Sequence, residues 1–94
     1  MQPDRTLNYY LQVALHRLDH GDFADELRVE RVYRQLAGDF ISRLTSSVQF
    51  SGGVLSLRLQ SAALRSEMLR RREGLRRRIN DHLGAEVVRK INIW

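Results

Sequence analysis

An α+β fold, a two-layer sandwich with helices packed on one face of a small three-stranded sheet in the order α-α-β-β-α-β, is what the 94-residue sequence predicts. Three observations carry that prediction. Apolar residues step by three and four over residues 7–18, 29–44 and 64–83; they alternate with polar residues over 48–59; and a short apolar run closes the chain at 87–93. A composition of 43% hydrophobic and 29% charged residues is that of an ordinary folded domain. The reading is one domain over residues 1–94, with a first helix at about 5–19 and a core at about 23–94.

Leu7, Tyr10, Leu11, Ala14, Leu15 and Leu18 fall on one face of the first helix, with Asp4 or Thr6 as its cap beside Pro3. His20, Gly21 and Asp22 then stop it. From Val29, the positions Val32, Tyr33, Leu36, Phe40 and Leu44 predict a second helix over roughly 23–45. Gly38 lies inside it, and since a mid-helix glycine costs up to about 1 kcal/mol relative to alanine, close approach by a neighbouring element is the expected reason.

The period changes at Val48 and Phe50, which alternate with polar residues, as do Leu55, Leu57 and Leu59 after Gly52 and Gly53. Two alternating runs around a diglycine read as a β-hairpin with one buried face. Ser61 caps a long third helix whose inner face carries Leu64, Met68, Leu75, Ile79 and Leu83, and Gly84 closes it. The final EVVRKINIW, residues 86–94, reads as a third strand, returned to the sheet by a crossover expected to be right-handed.

With no cysteine there is no disulfide, thiolate nucleophile or cysteine-bound zinc, and a reducing cytosol fits. The N-terminal MQPDRTLNYY lacks the apolar run of a signal peptide, and no apolar run approaches the roughly 20 residues needed to span a bilayer. The expectation is a cytoplasmic protein with no membrane contact.

The net charge of +5 has one address. Between Arg65 and Arg78 stand seven arginines, at 65, 70, 71, 72, 76, 77 and 78, against Glu67 and Glu73, which accounts for all of the excess. On a continuous helix the apolar set falls within about 60°, Arg70 and Arg77 form one outward stripe, Arg71 and Arg78 another, and Arg65 and Arg76 flank the remaining side. Two glutamates leave most of these guanidiniums without an intrahelical partner. Such an array reads as a phosphate-binding surface, giving salt-dependent and largely sequence-independent affinity. Its expected residues are Arg65, Arg70, Arg71, Arg76, Arg77 and Arg78. An acidic protein surface docked by the same guanidinium forks, and a solvated basic face with no ligand, are the competing readings. Aromatics able to stack on bases are few: Tyr33 and Phe50 read as buried, leaving Tyr9, Tyr10 and Trp94.

Catalysis has little support. His16 and His20 share a helical face near Asp19 and Asp22, one pair short of a convincing metal site, so no metal or cofactor is expected. His82 reads as a half-buried packing residue on the inner side of the third helix, and Ser46, Ser47 and Ser61 have no evident base. Gly52-Gly53 lacks the lysine and hydroxyl of a phosphate loop and precedes a strand, so it reads as a turn. Neither an enzyme nor a small-molecule substrate is expected.

From Tyr33 onward the sequence resembles the DciA family of bacterial replicative-helicase loaders. The resemblance is carried by YRQLAG at 33–38, SSVQFSGGVLSLRLQSAALRSEM at 46–68 and RINDHLGAEVVRKINI at 78–93. It implies a K-homology-like domain acting as a non-enzymatic adaptor of DNA replication, with a DnaB-type replicative helicase and single-stranded or forked DNA as partners. Tyr33 stands where many relatives have tryptophan. The GxxG loop with which K-homology domains clamp a nucleic-acid backbone is lacking. The sequence ends at Trp94 without the extension some relatives carry, so any activity residing there is expected to be missing or moved to the first helix. A general RNA- or DNA-binding protein, ribosome-associated for example, and a protein-interaction module for an acidic partner are the alternative functions.

Overall fold

The computed structural model describes residues 22–94. The first helix at about 5–19, with Tyr9, Tyr10, His16 and His20, lies outside the described residues. Within them the elements run α1 Asp22–Arg43, β1 Thr45–Ser51, β2 Val54–Leu59, α2 Ala62–Arg70, α3 Arg72–Leu83 and β3 Lys90–Ile93. The sheet has the order β1-β2-β3, with β1 antiparallel and β3 parallel to β2, so α2 and α3 form the crossover.

The hairpin forms where the alternation places it. Gly52 and Gly53 have φ of 57° and 81°, the positive values that a two-residue hairpin turn of type I′ demands at both positions. Leu55, Leu57 and Leu59 project to one face, paired with Phe50, Val48 and Thr45 across the hairpin, and with Ile91 and Ile93 where β3 lies alongside Leu55 and Leu57. Against them pack Val29 and Tyr33 of α1, Met68 of α2, Ile79 of α3, and Val88. Each fully buried side chain of this size contributes roughly 1.5–3 kcal/mol of hydrophobic stabilisation. On the opposite face Gln49, Arg58 and Lys90 are exposed, so the described helices cover one side of the sheet, as expected for the two-layer α+β class.

Two of the expected helices differ in detail. Gly38 breaks α1 with φ of 80° and ψ of 175°, extended backbone in a region that side-chain-bearing residues avoid. A Cβ there would meet nothing within 4 Å, so backbone conformation, and not close approach by a neighbour, is the reason for the glycine. Arg34 bridges the break by donating to the Ser42 carbonyl at 3.1 Å and its hydroxyl at 2.7 Å. Beyond it, the buried Tyr33 hydroxyl donates to Thr45 Oγ1 at 2.9 Å, which donates in turn to the Ile41 carbonyl at 2.8 Å. Burial pushes the Tyr33 hydroxyl above its ordinary range, with the Thr45 contact partly opposing, so it stays a proton donor. The break also rotates Phe40 out of the core: it is 72% exposed, against the expectation of an inward position.

The long third helix is two helices. Arg71, at φ −100° and ψ 9°, caps the end of α2 with its N–H and receives the Leu75 N–H on its carbonyl at 2.9 Å. The expected caps hold at the outer ends: Ser61 Oγ accepts from the Leu64 N–H at 3.2 Å, and Gly84 is left-handed at φ 75°. His82 is exposed, its Nδ1 3.0 Å from the Arg78 carbonyl, and is not the inward packing residue expected.

The third strand is shorter than expected because residues 85–89 are held by Asn80 before pairing begins. Asn80 is buried; its Oδ1 accepts from the N–H groups of Val87 at 3.1 Å and Val88 at 2.8 Å, and its Nδ2 donates to the Val88 carbonyl at 2.8 Å. Pairing then continues past Ile93, with the Trp94 N–H donating to Leu57 O and the Leu59 N–H to Trp94 O.

Candidate nucleic-acid interface

The six arginines expected to bind phosphate do not share one circumstance. Arg76 is drawn into the scaffold, its side chain only 17% exposed. Its Nε and Nη2 donate to Glu73 Oε1 at 2.9 and 2.6 Å, and its Nη1 donates to Glu86 Oε2 at 3.0 Å and to the Val88 carbonyl at 3.2 Å. These bonds raise the Arg76 pKa, Glu73 first and Glu86 second, and the bond from Arg76 is the main cause holding the Glu73 carboxyl below its ordinary value. Arg65 is half-buried, with Nη2 donating to the Leu59 carbonyl at 3.2 Å and Nε buried without a partner among the described residues. One nitrogen of its guanidinium is bonded to the scaffold and a second is enclosed by it.

The others face solvent. The side chains of Arg70, Arg71 and Arg77 are 74%, 78% and 72% exposed, and Arg72 and Arg78 are exposed as well. Glu67 accepts from Arg70 Nη2 and from Arg71 Nε, the latter at 2.8 Å, so one carboxylate orients two guanidiniums. The bond from Arg70 is the largest cause holding the Glu67 carboxyl below its ordinary range. Arg77 lies 3.9 Å from Glu73, which is already engaged with Arg76. Among the described residues Arg72 and Arg78 have no carboxylate within ion-pair distance.

The break at Arg71 shapes this surface. Arg70, Arg71 and Arg72 cluster at the corner where α2 gives way to α3, and Arg77 and Arg78 follow along α3. α3 begins with no side-chain cap, and its positive dipole end adds to the arginines around it. The cluster has fixed positive charge and donor forks suited to phosphate oxygens.

Sequence reasoning missed three features. Arg72 lies outside the expected set and is exposed beside Arg71. The clasp of Arg76 on Glu86 and Val88 closes over ten and twelve residues, a separation no helical periodicity reports. An apolar groove between α1 and the α2–α3 pair, with Arg70, Arg71 and Arg78 among its lining, depends on how helices pack. One local signal for the corner was available: the apolar pattern skips from Met68 to Leu75 with three arginines and a glycine between.

Trp94 remains a surface aromatic at 48% exposed; Tyr33 is fully buried and Phe50 half-buried. Among the described residues no three His, Cys, Asp or Glu side chains are grouped to hold a metal ion, and no helix is long and apolar enough to cross a membrane.

Comparison with known proteins places this architecture. The family model described as Dna[CI] antecedent, DciA matches residues 12–93, spanning every described strand and nearly all of the described chain. No curated protein matches the chain.

Proposed function

The chain belongs to the DciA family, and from that premise we propose that it is a non-enzymatic adaptor of DNA replication that holds single-stranded or forked DNA on the exposed arginines of the α2–α3 corner. Membership supports, in general terms, a role in loading the DnaB-type replicative helicase, and the proteins of this family are loaders or adaptors rather than enzymes. The DNA contact is the finer reading.

The observation that carries it is the separation of the arginines into two groups. Arg76 is consumed by the scaffold and Arg65 is half-buried against it, so the contact surface narrows to Arg70, Arg71, Arg77 and Arg78, and gains Arg72. Five exposed guanidiniums within nine residues face only Glu67 and Glu73. A surface kept for stability alone would not hold that much unbalanced charge, whereas phosphate contact with counterion release uses it directly. A K-homology-like use of the fold agrees with the α-β-β-α-α-β order of the described elements, but the backbone clamp here is arginine forks and not a glycine loop.

The test is DNA binding by the full chain, read by fluorescence anisotropy across salt. With about five phosphate contacts to a single strand, affinity falls roughly a hundredfold between about 50 and 200 mM salt. Reversing Arg70 and Arg77 to glutamate leaves the core side chains untouched, changes local charge by four, and lowers DNA affinity by at least about tenfold, or roughly 1.4 kcal/mol. Binding that is indifferent to salt, or unaltered in the reversed variant with its fold intact, removes the DNA reading. Equal affinity for RNA and DNA oligonucleotides of one sequence favours a general nucleic-acid-binding protein.

A further inference from the structure

We propose that the groove between α1 and the α2–α3 pair is a docking site for an acidic amphipathic helix of a partner protein. It has a volume of about 480 Å³ and an aliphatic floor of Leu36, Ala37 and Ile41 from α1, facing Leu75 of α3. Its rim on the α2–α3 side carries Arg70, Arg71 and Arg78, and no acidic residue lines it among the described residues. Apolar side chains spaced at i, i+3, i+4 and i+7 fill such a floor, while carboxylates on the flanks of the same helix reach the arginines.

Gly74 adds room on the α3 side of the groove. It lies in the first turn of α3 and lines the groove; its φ is not in the left-handed region, and a Cβ built on it would meet nothing within 4 Å. Neither backbone conformation nor packing within the described residues asks for glycine there, yet glycine is among the poorest helix formers. Its missing side chain leaves the α3 wall of the groove low beside Leu75, where an incoming helix can lie close.

Chemistry selects this occupant over three others. A nucleic-acid strand can use the rim arginines for its phosphates but gains nothing from the aliphatic floor, where Tyr33, the aromatic of this groove, is fully buried and offers bases no stacking face. The chain's own residues 1–21 carry Asp4 and Asp19 against Arg5 and Arg17, so they lack the acidic excess that the rim requires. A second copy would bring its own net charge of +5 against the same arginines. The proposal stands independently of the DNA contact, although Arg70, Arg71 and Arg78 belong to both surfaces.

The test uses the full chain and a labelled synthetic helix of about five turns, with leucines at i, i+3, i+4 and i+7 and glutamates beside them, read by fluorescence anisotropy. Saturable binding is expected. Exchanging the peptide's leucines for serine, or its glutamates for glutamine, weakens it by at least about tenfold. Gly74→Gln places a good helix former in the groove; it keeps or raises the melting temperature while weakening the peptide by a similar factor. Three results overturn the proposal: no saturable binding, the outcome expected if residues 1–21 already fill the groove; equal binding of the leucine-free peptide, which reduces the effect to charge alone; or undiminished binding to folded Gly74→Gln.

Discussion

Arg76 and Arg77 are neighbours in sequence and opposites in circumstance. The first is 17% exposed and joins Glu73, Glu86 and the Val88 carbonyl, so that it ties the start of α3 to the segment leading into β3. The second is 72% exposed, and its nearest carboxylate, at 3.9 Å, is already shared. The same residue type is therefore a structural clasp where it faces the returning chain and an available cation one position on. The 100° between successive helical positions makes the difference.

The clasped side is the place where breaking the comparison has the largest effect. Asn80 lies one turn beyond Arg76 on the same α3 and shares its targets, holding Val87, Val88 and Glu86. Asn80→Ala leaves the buried Val88 N–H without its partner and takes one of two donors from the Val88 carbonyl, and urea unfolding should show a loss of about 1–3 kcal/mol. DNA affinity of the protein that remains folded should be unaltered. A variant as stable as the parent would mean that the 85–89 segment finds other partners and that the clasp is decorative.

How much of this was legible in the sequence depended on the range of the interaction. The hairpin, the Ser61 and Gly84 caps and the inward positions of Leu55, Leu57 and Ile79 follow from residues at most a few positions apart, so period and turn chemistry reported them. The two helix breaks were masked by phase, since the spacing of Met68 to Leu75 keeps helical phase across Arg71 and that of Tyr33 to Phe40 keeps it across Gly38, so the gap in the apolar pattern before Leu75 was the one trace of either. A wheel drawn through either break stays apolar on paper while the backbone departs from helical geometry at Gly38 and Arg71, and the inward positions it gives Phe40 and His82 do not survive. The arginine cluster was legible as charge, but its division was not, since the partners of Arg65 and Arg76 on Leu59, Glu86 and Val88 come from strand and loop elements.

A paired substitution sharpens the comparison with a smaller effect. Arg76→Gln removes an oriented guanidinium from two carboxylates and a backbone carbonyl, and should lower the melting temperature while leaving the salt dependence of DNA binding as it was. Arg77→Gln should do the reverse: an unaltered melt, and a log–log salt slope reduced by about one phosphate contact. Thermal melts and salt-titrated anisotropy on the same two proteins decide it. A shallower slope for Arg76→Gln than for Arg77→Gln would exchange their roles.

The smallest effect falls on Glu67, the carboxylate that orients two of the exposed arginines, and there stability and binding should move in opposite directions. Hydrogen bonding from Arg70, with the charges of Arg70 and Arg71, depresses its pKa below the ordinary value of 4.5 in the folded protein. A depressed carboxylate stabilises the fold at pH values above its unfolded pKa, and the contribution is lost as pH falls from there through the folded value. The melting temperature of Glu67→Gln should therefore lie slightly below that of the parent at neutral pH, and the gap should close under acid conditions and narrow in high salt, since the pair is exposed. At neutral pH the same substitution releases Arg70 and Arg71 and raises local charge by one, so DNA should bind more tightly at low salt. Weaker DNA binding by a folded Glu67→Gln would show instead that the glutamate serves the contact by holding the two guanidiniums in register, and the exposed corner would then be a prearranged site and not a loose cluster of charge.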